Sequence, residues 1–183
     1  MVITGNIIRR EESTIPNHVR NVLTFKHLKR ADMDFLFNTI TSGDEGHIDF
    51  DLIIPQPKIK DECPKDCLVN KDSCIEEDED RPWFDWYKWN STYWGTKWGA
   101  YDHGLYVGDS IVQFIFSTAW SMTMPIIKRL TLLGFDFEFK WADEDLGNNC
   151  GKITYSSEQG WNEAWEDAAA KDTVAFAERV WSY

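Results

Sequence analysis

Apolar and polar positions alternate from Val19 to Phe25 (VRNVLTF), which predicts a β-strand. From Ala31 to Ile40 the apolar residues fall at helical spacing instead, and Asp32 or Asp34 suits the positive end of that helix. Ser42-Gly43-Asp44-Glu45-Gly46 stops it. Residues 48–54 read as a short extended element that breaks at Pro55-Gln56-Pro57. Pro82 opens a second helix in which Trp83, Trp86 or Tyr87, and Trp89 or Asn90 fall on overlapping faces. It ends near Trp94-Gly95, where glycine can adopt a left-handed cap. Residues 109–120 are mostly apolar and predict a strand inside a sheet. Residues 125–134 form a short helix between Pro125 and Gly134, and residues 135–141 alternate strictly, as an antiparallel strand does. Asn148-Asn149-Cys150-Gly151 turns that strand into its hairpin partner, Lys152-Ile153-Thr154-Tyr155. Over 160–181 the spacing of Trp161, Trp165, Ala168, Val174, Ala177 and Trp181 predicts a helix.

This order gives an α+β fold, an antiparallel sheet covered by helices. The length of 183 residues fits a single domain with three additions. They are an N-terminal extension over 1–16 that reads as a leader or an edge strand, an insertion over 58–81, and the C-terminal helix within 160–183. The insertion sets Asp61, Glu62, Asp66, Asp72, Glu76, Glu77, Asp78, Glu79 and Asp80 against Lys58, Lys60, Lys65, Lys71 and Arg81. Glu76 to Asp80 is an unbroken run of acids, expected to stay solvated.

Charge sharpens the picture. With 31 acidic and 19 basic residues the chain carries −12. Such a chain repels nucleic acid directly, and its natural complement is a basic protein surface. The start of the chain lacks the charge order and apolar length of a secretory signal, and no apolar run reaches the length of a membrane span. The expected compartment is therefore the cytosol, where thiols stay reduced.

The candidate chemistry is sparse. Cys63, Cys67 and Cys74 offer a zinc site in the insertion, with Cys150, Asp72 or His103 as a fourth ligand. Their spacing departs from the usual two-residue gaps, which favours free thiols in a loop. His18, His27, His47 and His103 form no metal-spaced pair, and no nucleophile–base motif stands out, so no catalytic residue is assigned. Asp143-Glu144-Asp145 lacks the spacing of a calcium loop and reads as a solvated face. Among 15% aromatic residues, Trp94-Gly95-Thr96-Lys97-Trp98-Gly99-Ala100-Tyr101 is the densest stretch. Either its indoles grip a partner, or they pack on the sheet with Lys97 laid over an aromatic face; the second reading is preferred.

Several segments together resemble the YubB-type ferredoxin-like proteins of plasmids and phages. They are Pro16-Asn17-His18-Val19-x-Asn21-x-Leu23, Phe50-x-x-Ile53-Ile54-Pro55-x-Pro57, Trp86-x-x-x-Asn90 through Tyr101, Phe116-x-Thr118-Ala119-Trp120 with Pro125, and residues 141–151. The resemblance implies a ferredoxin-like fold and a mobile-element origin. It implies no iron–sulfur cluster and no catalytic residues. With the acidic balance it leads to an expected function: a non-enzymatic counter-defence protein, an anti-CRISPR inhibitor of a Cas9-type nuclease carrying guide RNA. Such nucleases hold nucleic acid in a positively charged channel. Asp61, Glu62, Glu76, Glu77, Asp78, Glu79, Asp80, Asp143, Glu144 and Asp145 would mimic the charge of DNA there. The alternative is an accessory protein of the element with no nuclease target. Exposed aromatics and the last helix also make a homodimer an expected state.

Overall fold

The computed structural model describes residues 17–43, 45–57, 86–162 and 172–183. Strand β1 (His18–Phe25) leads to helix α1 (Arg30–Ile40), a small hairpin of β2 (Thr41–Ser42) and β3 (His47–Ile48), and helix α2 (Phe50–Ile53). Helix α3 (Trp86–Tyr93), edge strand β4 (Tyr101–Val107), strand β5 (Val112–Ala119) and helix α4 (Met124–Leu130) follow. A 3-10 turn (Thr131–Leu133) precedes strands β6 (Phe137–Asp143), β7 (Cys150–Ser156) and β8 (Gly160–Asn162), and helix α5 (Thr173–Trp181) closes the chain.

Six strands form one antiparallel sheet in the order β4-β5-β1-β6-β7-β8. β1 lies antiparallel to both neighbours, pairing Val22 with Ile115 of β5 and with Lys140 of β6. β1 and β4 therefore run parallel with β5 between them, and β5 and β6 run parallel with β1 between them. These are two interlocked split β-α-β units, the ferredoxin-like arrangement.

Side-chain alternation gives the sheet two different faces. Val19, Leu23 and Phe25 of β1 pack with Phe114, Phe116, Phe137 and Phe139 under α1, α2 and α4, burying Met33, Leu36, Ile40, Phe50, Ile126, Ile127 and Leu130. The opposite face is covered in part by α5, whose Ala177 and Val180 sit on Val22 and Ala142. Between these patches that face is polar. Lys26 and Lys140 pair with Glu138 at 3.3 and 2.8 Å, and Gln113 Nε2 donates to Thr24 Oγ1.

Most expected elements are present, and the exceptions have physical reasons. Residues 50–53 are helical rather than extended, because Asp49 caps them: its Oδ1 accepts the Asp51 N–H at 2.9 Å. Residues 160–162 are strand, not helix. Trp161 pairs with Tyr155 across β7 and packs edge-on against Phe137, so cross-strand aromatic contact overrides helical spacing. Strand β4 has no counterpart in the sequence reading. It carries Asp102, His103 and Gly104, and a bulge between Tyr101 and Gly104 breaks its alternation. The extension over 1–16, nearly all of the second helix's predicted first turn and the acidic insertion lie outside the described residues.

Candidate protein-interaction surface

The aromatic stretch after α3 is a brace. Trp94 and Gly95 both donate their N–H to the Asn90 carbonyl, and Gly95 takes the left-handed conformation (φ +78°) that ends the helix. A Cβ at Gly95 would lie 2.7 Å from Cδ of Pro125, so only glycine fits here. The Trp94 ring is buried edge-on against Phe50 and Trp89, and its indole N–H donates to the Ile54 carbonyl at 2.8 Å. Thr96 is 2% exposed, and its hydroxyl donates to the Ala119 carbonyl at 2.9 Å and accepts the Ala119 N–H at 3.1 Å. Thr123 and Ser121 donate their hydroxyls to the carbonyls of Trp94 and Gly95. Asn90 Nδ2 donates to the Lys97 carbonyl at 2.9 Å, while the Gln56 amide nitrogen donates to Asn90 Oδ1. The stretch is thus stitched to the end of β5 and the start of α4.

Above this brace the aromatics reach the surface. The Lys97 ammonium lies 4.8 Å from the ring centres of both Trp98 and Trp120. Trp94 is therefore a core residue, whereas Trp98 is half-buried beside Lys97 and Tyr101. Trp120 is 38% exposed and sits at φ +69°, a conformation that a bulky side chain rarely adopts. Its N–H donates to the Asn17 carbonyl at 2.8 Å, which holds it there. Tyr87 packs edge-on against Trp120, and Trp86 packs on Tyr87, both rings largely open to solvent.

The same end of the sheet gathers charge. The Tyr101 hydroxyl lies 2.6 Å from His18 Nδ1 and 3.3 Å from the Thr118 carbonyl. Burial, with Glu144 and Asp102 adding repulsion, pushes this phenol up to about 12, so it remains a protonated donor. Arg20 donates to Asp102 Oδ2 at 2.7 Å, with Trp181 5.7 Å away over its guanidinium. The Glu144 N–H donates to the His18 carbonyl at 2.9 Å, which ties the acidic turn to the start of β1. Within that turn the acids divide. Asp143 is buried, and its Oδ1 accepts the Asp145 N–H at 2.9 Å; Glu144 and Asp145 point into solvent. The Trp181 indole donates to the Asp143 carbonyl at 3.0 Å, and Asn148 Nδ2 donates to Asp145 Oδ2 at 2.7 Å.

Two segments distant in sequence, 94–102 and 143–145, thus meet at one end of the sheet. Both are tied to β1, the first through His18–Tyr101 and Arg20–Asp102 and the second through the Glu144 N–H, and the sequence reading predicts neither side-chain pairing. Each spans more than eighty positions, and only the antiparallel register reveals it. The acids Asp61, Glu62, Glu76, Glu77, Asp78, Glu79 and Asp80, and the thiols Cys63, Cys67 and Cys74, lie outside the described residues. Of the suggested fourth zinc ligands, Cys150 is half-buried against the patch under α5, and burial pushes its thiol up. His103 lies elsewhere, stacked on His47 with ring centres 4.3 Å apart. Burial, followed by the neighbouring His47, lowers the His103 imidazole below its ordinary value. Among the described residues, no group of three or more His, Cys, Asp or Glu is arranged to hold a metal ion.

Residues 93–183 match the ferredoxin-like domain in Api92-like protein. The chain is similar to that domain across its C-terminal half. The match contains β4 to β8, α4 and α5, whereas β1, paired on both sides within the sheet, comes from outside it. No curated protein and no solved structure matches the chain. No helix among the described residues is long and apolar enough to cross a membrane.

Proposed function

We propose that this chain is a mobile-element counter-defence protein of the YubB type that works in the host cytosol by binding, without turning over a substrate. Its target is a host nuclease, a Cas9-type effector loaded with guide RNA. The observation that carries the reading is the convergence at one end of the sheet. There an acidic turn, tied by hydrogen bonds to β1 and α5, leaves Glu144 and Asp145 exposed, while Trp120 is bonded to Asn17 one residue before the turn's anchor at His18.

Both halves of that surface suit a cationic partner. Exposed tryptophan and tyrosine on a fixed backbone supply contact area at low entropy cost and dominate many protein interfaces. Carboxylates compete for a channel evolved for phosphates, which duplex DNA presents about every 1.7 Å of its axis. The described residues hold 15 acids and 11 bases of the chain's 31 and 19. The described residues therefore carry −4 of the −12, and of the −8 on the remaining residues −4 belongs to the 58–81 insertion.

Capture of the purified protein on immobilised nuclease–guide complex, at low and at high salt, tests this. Binding is expected at low salt and should weaken steeply as salt rises. Glu144→Gln with Asp145→Asn should weaken it, and amide replacement of Glu76 to Asp80 should weaken it further. Absence of capture at low salt would remove this nuclease as the target.

A further inference from the structure

Lys97 occupies a site that another cation would fit. Its ammonium lies 4.8 Å from two indole ring centres, those of Trp98 and Trp120. Among the described residues no carboxylate is paired with it. The backbone that carries both rings is held independently of the lysine side chain. Trp120 is locked at φ +69° by its N–H bond to Asn17, and Ala119 before it is held on both sides by the Thr96 hydroxyl. The Lys97 backbone is pinned through its carbonyl by Asn90, so the side chain can swing out while the loop stays in place. Tyr87 continues the aromatic surface beyond Trp120.

We propose that the Trp98–Trp120 clamp is a binding site for an arginine side chain of the partner protein, and that Lys97 fills it as an internal stand-in until the partner arrives. A guanidinium is planar, more weakly hydrated than an ammonium and stacks on indole faces, so it is the cation best suited to displace lysine from the two rings. The displaced Lys97 returns to water, where its charge is well solvated. A left-handed tryptophan held open at the surface is the kind of local strain that binding sites retain. This inference rests on the reading that the chain binds a cationic protein, but not on the identity of that protein.

The test is a titration of the isotopically labelled full chain with an arginine hexapeptide, read from the indole N–H signals, which Trp98→Phe and Trp120→Phe variants assign. The signals of Trp98 and Trp120 are expected to move. Lys97→Ala, which empties the clamp, should tighten peptide binding about fivefold, the size of one exposed cation–π contact. Lys128→Ala removes the same charge from the exposed face of α4 and should change binding less than twofold. A lysine hexapeptide should bind the Lys97→Ala protein more weakly than the arginine peptide does. Equal affinities for the Lys97→Ala and Lys128→Ala proteins, or silent Trp98 and Trp120 indoles, would overturn the proposal. Neither comparison requires a Trp120→Ala protein to fold. A responsive clamp in a protein that the nuclease fails to capture would uphold the site and discard the nuclease. Capture with silent indoles would discard the clamp alone.

Discussion

Thr96→Val removes one oxygen and keeps the shape of the side chain. In the native protein Thr96 is 2% exposed, and its hydroxyl serves both backbone groups of Ala119, donating at 2.9 Å and accepting at 3.1 Å. The valine would leave a buried N–H and a buried C=O at the end of β5 without this partner. Each buried polar group so orphaned costs about 1–3 kcal/mol, and the carbonyl, with a second lone pair, falls at the low end. The pair should cost about 2–4 kcal/mol. For a domain of this size that corresponds to a fall of about 4–16 °C in Tm. Urea unfolding followed by circular dichroism reads it directly, as a lower midpoint with an unchanged slope. The control is Thr92→Val, whose exposed hydroxyl donates to the Lys88 carbonyl within α3 and whose loss should cost less than about 0.5 kcal/mol. If the two variants unfold at the same midpoint, the hydroxyl does not fasten the aromatic loop to the sheet, and the account of the brace is wrong.

Gly95→Ala and Gly134→Ala separate strain from collision. Both glycines have positive φ, at +78° and +74°, and each alanine should cost about 1–2 kcal/mol for that alone. Only at Gly95 does the new Cβ meet another atom, Pro125 Cδ at 2.7 Å, while nothing lies within 4 Å at Gly134. Thermal melts should therefore rank Gly95→Ala as the more damaging by about 1–3 kcal/mol, and equal melts would contradict the close approach. Tyr101 should impose a pH limit. Its folded-state value is raised above the ordinary phenol value of 10.0 to about 12, so the stability it contributes is complete below pH 10 and is lost as pH rises towards 12. A phenolate absorbance step near pH 12 should be missing from Tyr101→Phe, and that variant should lose less stability across the same window. If the phenol titrates near 10 instead, neither its burial nor the carboxylates of Glu144 and Asp102 raise it. Trp94→Phe opens a cavity and strips the Ile54 carbonyl of its indole donor, so it should cost about 1–3 kcal/mol. Trp98→Phe, at a half-buried site without such a bond, should cost less, and chemical unfolding that reverses the order would contradict their assigned roles.

What could be read from the chain was whatever has a short period. β1, α1 and β5 announce themselves through alternation or helical spacing, because each buries one face over consecutive turns or pleats. The Gly95 cap is legible because a left-handed residue selects for glycine. The turn expected over Asn148–Gly151 lies earlier: Cys150 and Gly151 already belong to β7, paired with Ala142 and Trp141, and the left-handed glycine of the connection is Gly147 at φ +93°. β4 was not legible, since an edge strand with a bulge has one partner and no continuous apolar face. Four-residue spacing to Trp165 predicts a helix through Trp161, whereas its ring is held by Tyr155 and Phe137 across the sheet. At the surface, the cation–π cover over Trp98 could be inferred from adjacency. Trp120 as the second wall could not, because it reaches Lys97 only once β5 and the loop after α3 are stitched together by Thr96 and Ser121. Arg20–Asp102 and His18–Tyr101 likewise depend on register alone.

The proposed function has this protein occupy a cationic, nucleic-acid-binding surface on a nuclease. The measurement that bears on it most directly is target-DNA cleavage by a purified Cas9–guide complex, followed at several DNA concentrations with increasing amounts of this protein. Competition predicts that cleavage slows as the protein is added, recovers as DNA is raised, and recovers also when Glu144 and Asp145 are replaced by their amides. Cleavage that proceeds at the same rate throughout, with the protein far in excess over nuclease at low salt, would contradict it.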